Sequence, residues 1–318
     1  MLGPLLLTMV LSINGISAKI PGGLTDTFKG VVGILLGTSI TPETMHRLVD
    51  WPMSLLIVIT GLLLVSGLVA LFYYRLCGFD RITAAAAALP GSINAIPAIA
   101  IGMGADAQRT ILPQLLRVAL VVTCVPPIYL MWQGYASTGS AVGQSANGFD
   151  WLGQGLWIVL VAPLGWLTAK RLRLPVPQLL GPMIVAAGLS LAGFVIELPA
   201  WLTALTFLVL GTSIGARFHN MRLRTLFGTG RHALAGTLLT FAGVALTGLA
   251  IHHFTGVALP VALLAVVPGG IAEMALLATA LGVDPVFVTF HQVLRSVLLN
   301  SIAPFIFQWA VRGRKPDD

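Results

Sequence analysis

Apolar positions along this chain come in long unbroken runs separated by short polar loops, with neither the two-residue alternation of strands nor the single stripe of a surface helix. In the first half the runs cover 2–18, 21–40, 52–74, 82–104 and 109–133. In the second they cover 152–170, 177–196, 199–215, 231–254, 257–281 and 286–310. About 20 apolar residues in helical conformation cross a hydrocarbon core, so these runs predict membrane helices. Two of them are interrupted, 82–104 by "LPGSINAIP" and 257–281 by "VPGGIAEM". Proline lacks an N–H and glycine tolerates unusual dihedrals, so each interruption predicts a helix that stops and restarts.

The interrupted runs belong to a longer correspondence. Residues 89–128 align with 267–306 without a gap, matching Pro90 with Pro268, Gly91 with Gly269, Asp106 with Asp284, Gln114 with Gln292 and Arg117 with Arg295. Upstream, "ILLGTSI" (34–40) matches "LVLGTSI" (208–214), and "LGP" at 2–4 matches "LGP" at 180–182. The chain therefore reads as two membrane repeats, 1–133 and 151–318, joined by a polar linker, 134–150. The helix expected at 152–170 has no partner in the first repeat. The N-terminal run belongs to a repeat and lacks a basic n-region or an A-x-A site before Lys19, so it is expected not to be a cleaved leader.

Composition fits this picture. The chain has 318 residues, 57% of them hydrophobic and 9% charged, with a mean hydropathy of +0.93. A soluble domain carries roughly 25% charged residues. The fold class expected is an all-α polytopic membrane protein whose lipid bilayer is its first partner. The net charge of +7 does not point to nucleic acid, because the basic residues sit in short loops. With the linker outside and each interrupted run a re-entrant hairpin, Lys19, Lys29, Arg75, Arg81, Arg109, Lys170, Arg171, Arg173, Arg217, Arg222, Arg224, Arg231, Arg312, Arg314 and Lys315 fall on the inner side. Only Arg47 falls outside. Cytoplasmic loops carry such an excess of Lys and Arg, so the pattern predicts hairpins and an inverted pair of repeats. Cys77 and Cys124 read as packing residues.

A broken helix at membrane depth presents free backbone N–H groups and the positive end of a helix dipole, which suits an anion. The candidate substrate-binding residues are therefore Pro90, Gly91, Ser92 and Asn94 at the first break and Pro268, Gly269, Gly270 and Glu273 at the second. Arg117 and Arg295 join them, since each lies roughly 12–14 Å into its helix at ~1.5 Å per residue. A buried arginine marks function by default, yet it can equally tie the broken-end carbonyls of its hairpin or pair with Glu273. Glu273 has Ala95 as its counterpart and is placed to carry a coupling proton. His291 faces Pro113 in the alignment and reads as a packed polar residue or a proton relay. Gln114, Gln292, Thr38, Ser39, Thr212 and Ser213 form a second tier. The spacings Gly33/Gly37 and Gly211/Gly215 read as close helix packing. Asp106 and Asp284 precede helices as N-caps. Adjacent His252 and His253 point about 100° apart on a helix, and no pair of cysteines has metal-ligand spacing, so neither a metal nor a cofactor is expected.

The stretch "PGG-x-x-E-M", then "G-x-D", then a helix with a buried arginine resembles the AbrB family, bacterial membrane proteins with a duplicated domain, some also labelled ammonia monooxygenases. The likeness extends over essentially the whole chain and is most specific in "VPGGIAEMALLATALGVDPVFVTFHQVLR". The first repeat departs from it: "PGSINAIP" lacks the acid and adds Pro97. That departure counts against a symmetric two-carboxylate mechanism. The broken element also looks like the unwound helix of bile-acid-type carriers, an analogy of fold alone. Taken together, the sequence leads us to expect a non-enzymatic secondary transporter of the bacterial cytoplasmic membrane. It would move a small anionic solute with a proton or sodium ion as coupling partner, and a homo-oligomer is compatible with the pattern. The resemblance also implies two rivals, a membrane-embedded regulator of gene expression and an ammonia monooxygenase-like enzyme.

Overall fold

A computed structural model describes residues 2–16, 20–42, 51–91, 95–133, 153–194, 196–216 and 230–312. The sequence assignments at Lys19, Arg47, Ser92, Asn94, the linker 134–150, the loop with Arg217, Arg222 and Arg224, and the end with Arg314 and Lys315 lie outside the described residues.

Among the described residues the chain is helical throughout, and each apolar run becomes a helix or a pair of half-helices. In chain order these are α1 (Leu2–Ile13), α2 (Gly22–Thr38), α3 (Trp51–Arg75), α4 (Arg81–Ala88), α5 (Ala95–Gly102), α6 (Ala107–Gln133) and α7 (Gly153–Arg171). Then follow α8 (Pro177–Leu191), α9 (Ala200–Ala216), α10 (Gly230–Thr255), α11 (Leu259–Val266), α12 (Ile271–Ala280) and α13 (Pro285–Arg312). The first run, expected to reach residue 18, ends as a helix at Ile13. Gly15 sits at φ 89°, and the Ile16 N–H donates to Leu11 O at 3.0 Å, a glycine-closed C-terminus.

Among the described residues four helices are long and apolar enough to cross a membrane: α3, α6 over Ala107–Val125, α10, and α13 over Pro285–Val311. Large apolar side chains point outward along them, among them Leu56, Leu64, Leu68, Leu238, Leu246 and Trp309. An apolar exterior around a polar-studded interior is the arrangement expected in lipid.

Both interrupted runs break where the sequence places the break. After α4, Leu89 turns extended (φ −69°, ψ 118°); after α11, its repeat counterpart Val267 does the same (φ −54°, ψ 126°). The half-helices that follow close alike. Gly104 (φ 97°) and Gly282 (φ 66°) reverse the chain, with Ala105 N–H on Ala100 O at 2.9 Å and Val283 N–H on Ala278 O at 3.0 Å. In the first repeat the run folds back on itself. Asp106 N–H donates to Thr83 Oγ1 at 2.9 Å, so the exit of α5 lies beside the start of α4. Asp106 and Asp284 then cap α6 and α13, accepting from Arg109 N–H and from Val286 and Phe287 N–H.

The helices gather into two units, each drawing on both sequence repeats: Met1–Trp51 with Val125–Asn220 and Ile271–Thr289, and Pro52–Cys124 with Met221–Gly270 and Phe290–Asp318. In the first unit α1 packs on α9, α2 on α8, and α7 on α8. Small residues permit it. A Cβ on Gly37 would stand 2.6 Å from Ala186 Cβ, and one on Gly215 2.7 Å from Leu5 O. The second unit has a core of Leu62, Ile82, Ile96, Ala100, Leu299 and Phe307. Beside it Tyr73 stacks on Phe79 with ring centroids 5.0 Å apart.

Candidate functional site

The second unit holds both Pro-Gly breaks and both buried arginines. A helix leaves its last carbonyls without intrahelical donors, and in an apolar interior each must find another. At the end of α11 those donors come from α13. Gln292 Nε2 donates to Leu264 O at 2.9 Å and to Val267 O at 2.8 Å. Arg295 Nη1 donates to Val266 O at 3.2 Å and Val267 O at 3.0 Å, and its Nη2 donates to Gly269 O at 3.2 Å. The first repeat repeats part of this pattern. Gln114 Nε2 donates to Ala86 O at 3.0 Å, and Ala86 aligns with Leu264. Arg117 and Arg295 are each 3% exposed.

Both breaks open on one cavity. Pro90 and Ala88 from the first, Pro268 and Val266 from the second, Gly61, Ser66 and neighbours on α3, and Thr240, Val244 and Thr247 on α10 enclose about 10 Å³. That is close to the room one water needs. Neither arginine is among its described lining residues.

The charge balance of this unit is unusual. The unit's carboxylates are Asp80, Asp106, Asp317 and Asp318. Asp80 caps α4 through Thr83 N–H at 3.3 Å, Asp106 caps α6, and the last two lie outside the described residues. Two buried guanidiniums thus share a unit in which no described carboxylate is buried. Hydrogen-bonding capacity is also left over. Arg117 Nε, Arg295 Nε, Gln114 Oε1, Gln292 Oε1, Thr110 Oγ1, Ser66 Oγ and Asn300 Oδ1 are buried without a partner among the described residues.

Of the residues singled out in the sequence, the structure brings Pro90, Gly91, Gln114, Arg117, Pro268, Gly269, Gly270, His291, Gln292 and Arg295 into this unit. His291 is fully buried, and its Nε2 lies 2.8 Å from Ser54 Oγ. Glu273 belongs to the first unit, in the first turn of α12, and is 7% exposed. Thr38, Ser39, Thr212 and Ser213 also belong to the first unit. Thr38 and Ser39 hydroxyls return to Leu35 O, and Thr212 to Leu208 O, each within its own helix turn. Ser54, Ser66, Thr110 and Asn300 were not singled out by sequence. Ser54 and Ser66 are lone polar residues in apolar runs, while Thr110 follows Arg109 and Asn300 precedes Ser301, signals shared by many residues that bond only their own helix.

A family model described as "Transition state regulatory protein AbrB" matches residues 1–311. Among curated relatives, "Putative regulator AbrB" of Escherichia coli (strain K12) is 28% identical over 317 residues, spanning 98% of this chain and 90% of the relative. "Uncharacterized protein YhjN" of Bacillus subtilis (strain 168) is 28% identical over 303 residues, spanning 90% of this chain and 79% of the relative. No solved structure matches.

Proposed function

Since this chain belongs to the AbrB family and its second unit buries two guanidiniums with no buried carboxylate among the described residues, we propose that it is a secondary transporter of a small anionic solute. It works as a multi-pass protein of the bacterial cytoplasmic membrane. The observation that carries this reading is the pair of buried guanidiniums in a unit with no buried carboxylate among its described residues. An arginine at the centre of a membrane helix costs at least about 2.5–3.5 kcal/mol on insertion scales. Two of them in one unit favour a counter-anion, and a mobile one suits the donors left over at Arg117 Nε and Arg295 Nε among the described residues. Broken helices are the irregular backbone that carriers use around their solute. A second reading, a membrane-embedded regulator, has the printed name of the Escherichia coli relative in its favour. It uses the same site, with binding but no net movement of the anion.

Thermal unfolding of the purified protein against a panel of small carboxylates and phosphates finds the ligand. A matching anion at 100 times its Kd stabilises by about 2.7 kcal/mol, and its neutral amide or ester analogue does nothing. If only neutral or cationic compounds raise the midpoint, the anion reading is wrong. Topology is checked separately. Cysteine labelling places residues 75–81, 217–231 and the C-terminus inside and 134–150 outside, whereas an external C-terminus contradicts the inverted arrangement.

A further inference from the structure

We infer that the Arg295 guanidinium is a resident cation on the carbonyl cluster of the second break, standing where a coupling sodium ion would otherwise bind, so that this carrier works without sodium. The inference rests on the transport reading above for its meaning but not for its test.

The carbonyls come first. Unwound backbone and half-helix C-terminal ends are the groups that hold a coupling cation in carriers built on broken helices. Here the break after α11 points Val266 O, Val267 O and Gly269 O at one place, and all three lie 3.0–3.2 Å from the nitrogens of one guanidinium. Gln292 takes Leu264 O and shares Val267 O. The oxygens a hard cation needs are therefore already answered by a positive charge fixed to α13. Arginine's planar fork spans several acceptors at once. Arg295 is itself buried. A sodium ion added among these oxygens would meet this guanidinium and would have to displace it. A tethered cation never dissociates, so it holds the broken end in shape in every state of the cycle.

The experiment uses the full-length protein in detergent and reads the unfolding midpoint in sodium, potassium or choline chloride at equal ionic strength. The wild type is expected to unfold at the same temperature in all three. Arg295→Ala vacates the carbonyls, and its midpoint falls by roughly 5–10 °C. Millimolar methylguanidinium restores most of that loss, and sodium restores part of it, while choline restores none. Arg295→Lys keeps the charge without the fork, so it is expected to lose some stability yet stay indifferent to sodium.

Selective stabilisation of the wild type by sodium overturns the inference, and so does a folded Arg295→Ala protein that ignores methylguanidinium. Should Arg295→Ala not fold, the wild type and Arg295→Lys still decide, because a sodium response in either contradicts a resident cation. Uptake of an anion that requires a sodium gradient would overturn this inference while leaving the transport reading intact. A protein that moves no anion, yet shows the rescue, would do the reverse.

Discussion

Valine at Gly181 leaves little folded protein in the membrane. Gly181 on α8 and Gly165 on α7 meet backbone to backbone: a Cβ on Gly165 would stand 2.5 Å from Gly181 C and Pro182 N. A Cβ on Gly181 would run into the Gly165 carbonyl and stand 2.9 Å from Ala169 Cβ. A flexible side chain can move out of the way of a new methyl group, but two helix backbones cannot unless the helices separate. Overpacking typically costs about 1–3 kcal/mol, and this case lies at or above the top of that range. In bilayers little else replaces the lost contact, because close packing of small residues is itself what drives helix association. The measurement is the membrane yield of monodisperse protein and its unfolding midpoint. Gly181→Val and Gly165→Val should each lower the midpoint by roughly 10 °C or abolish folding. Gly188→Ala, on the same helix as Gly181 but with open space around its Cβ position, should leave it unchanged. Equal stability of all three proteins would contradict the α7–α8 contact.

Arg117→Gln is expected to weaken anion binding by about 10- to 100-fold while the protein still folds. The magnitude follows from one charge-assisted hydrogen bond, about 1.5–3 kcal/mol, lost from a site that water does not refill. Arg117 is preferred over Arg295 for this test on structural grounds. Both Nη groups of Arg295 hold the α11 carbonyls, so its removal damages the scaffold along with the ligand site. Arg117→Lys should fall between, since the charge stays and the planar fork is lost. Binding is read by titration calorimetry with the anion found in the thermal screen, on protein whose unfolding midpoint without ligand has been checked. An unchanged affinity in folded Arg117→Gln would take this residue out of the site.

How much of this was visible in the sequence can be seen residue by residue. The helices were legible because lipid demands long apolar runs, and the breaks because Pro90 and Pro268 cannot continue a helix. The capping by Asp106 and Asp284 was legible because it is local. Arg295 was left with three readings, anion ligand, anchor or partner of Glu273. Only the coordinates show that its Nη groups span three carbonyls, since that depends on how α13 docks on α11. The division into units was not legible either. Repeats in sequence are contiguous, but α1 packs on α9 and α2 on α8, and nothing in the spacing of glycines says which helix a small-residue face will meet. Ser54 beside His291 and the unpartnered Asn300 were invisible for the same reason. A polar residue in an apolar run bonds either its own helix or a distant one, and only packing decides.

Solute counterflow in proteoliposomes tests most directly whether the second unit carries an anion across the membrane: vesicles are loaded with the unlabelled anion found in the thermal screen, and entry of a trace of the labelled anion is followed without any ion gradient. Rapid, transient accumulation of label is expected in wild-type vesicles, unchanged when choline replaces sodium, and strongly slowed in Arg117→Gln. Binding of the same anion to the reconstituted protein with no counterflow above that of protein-free vesicles would contradict it and leave a sensor in the carrier's place.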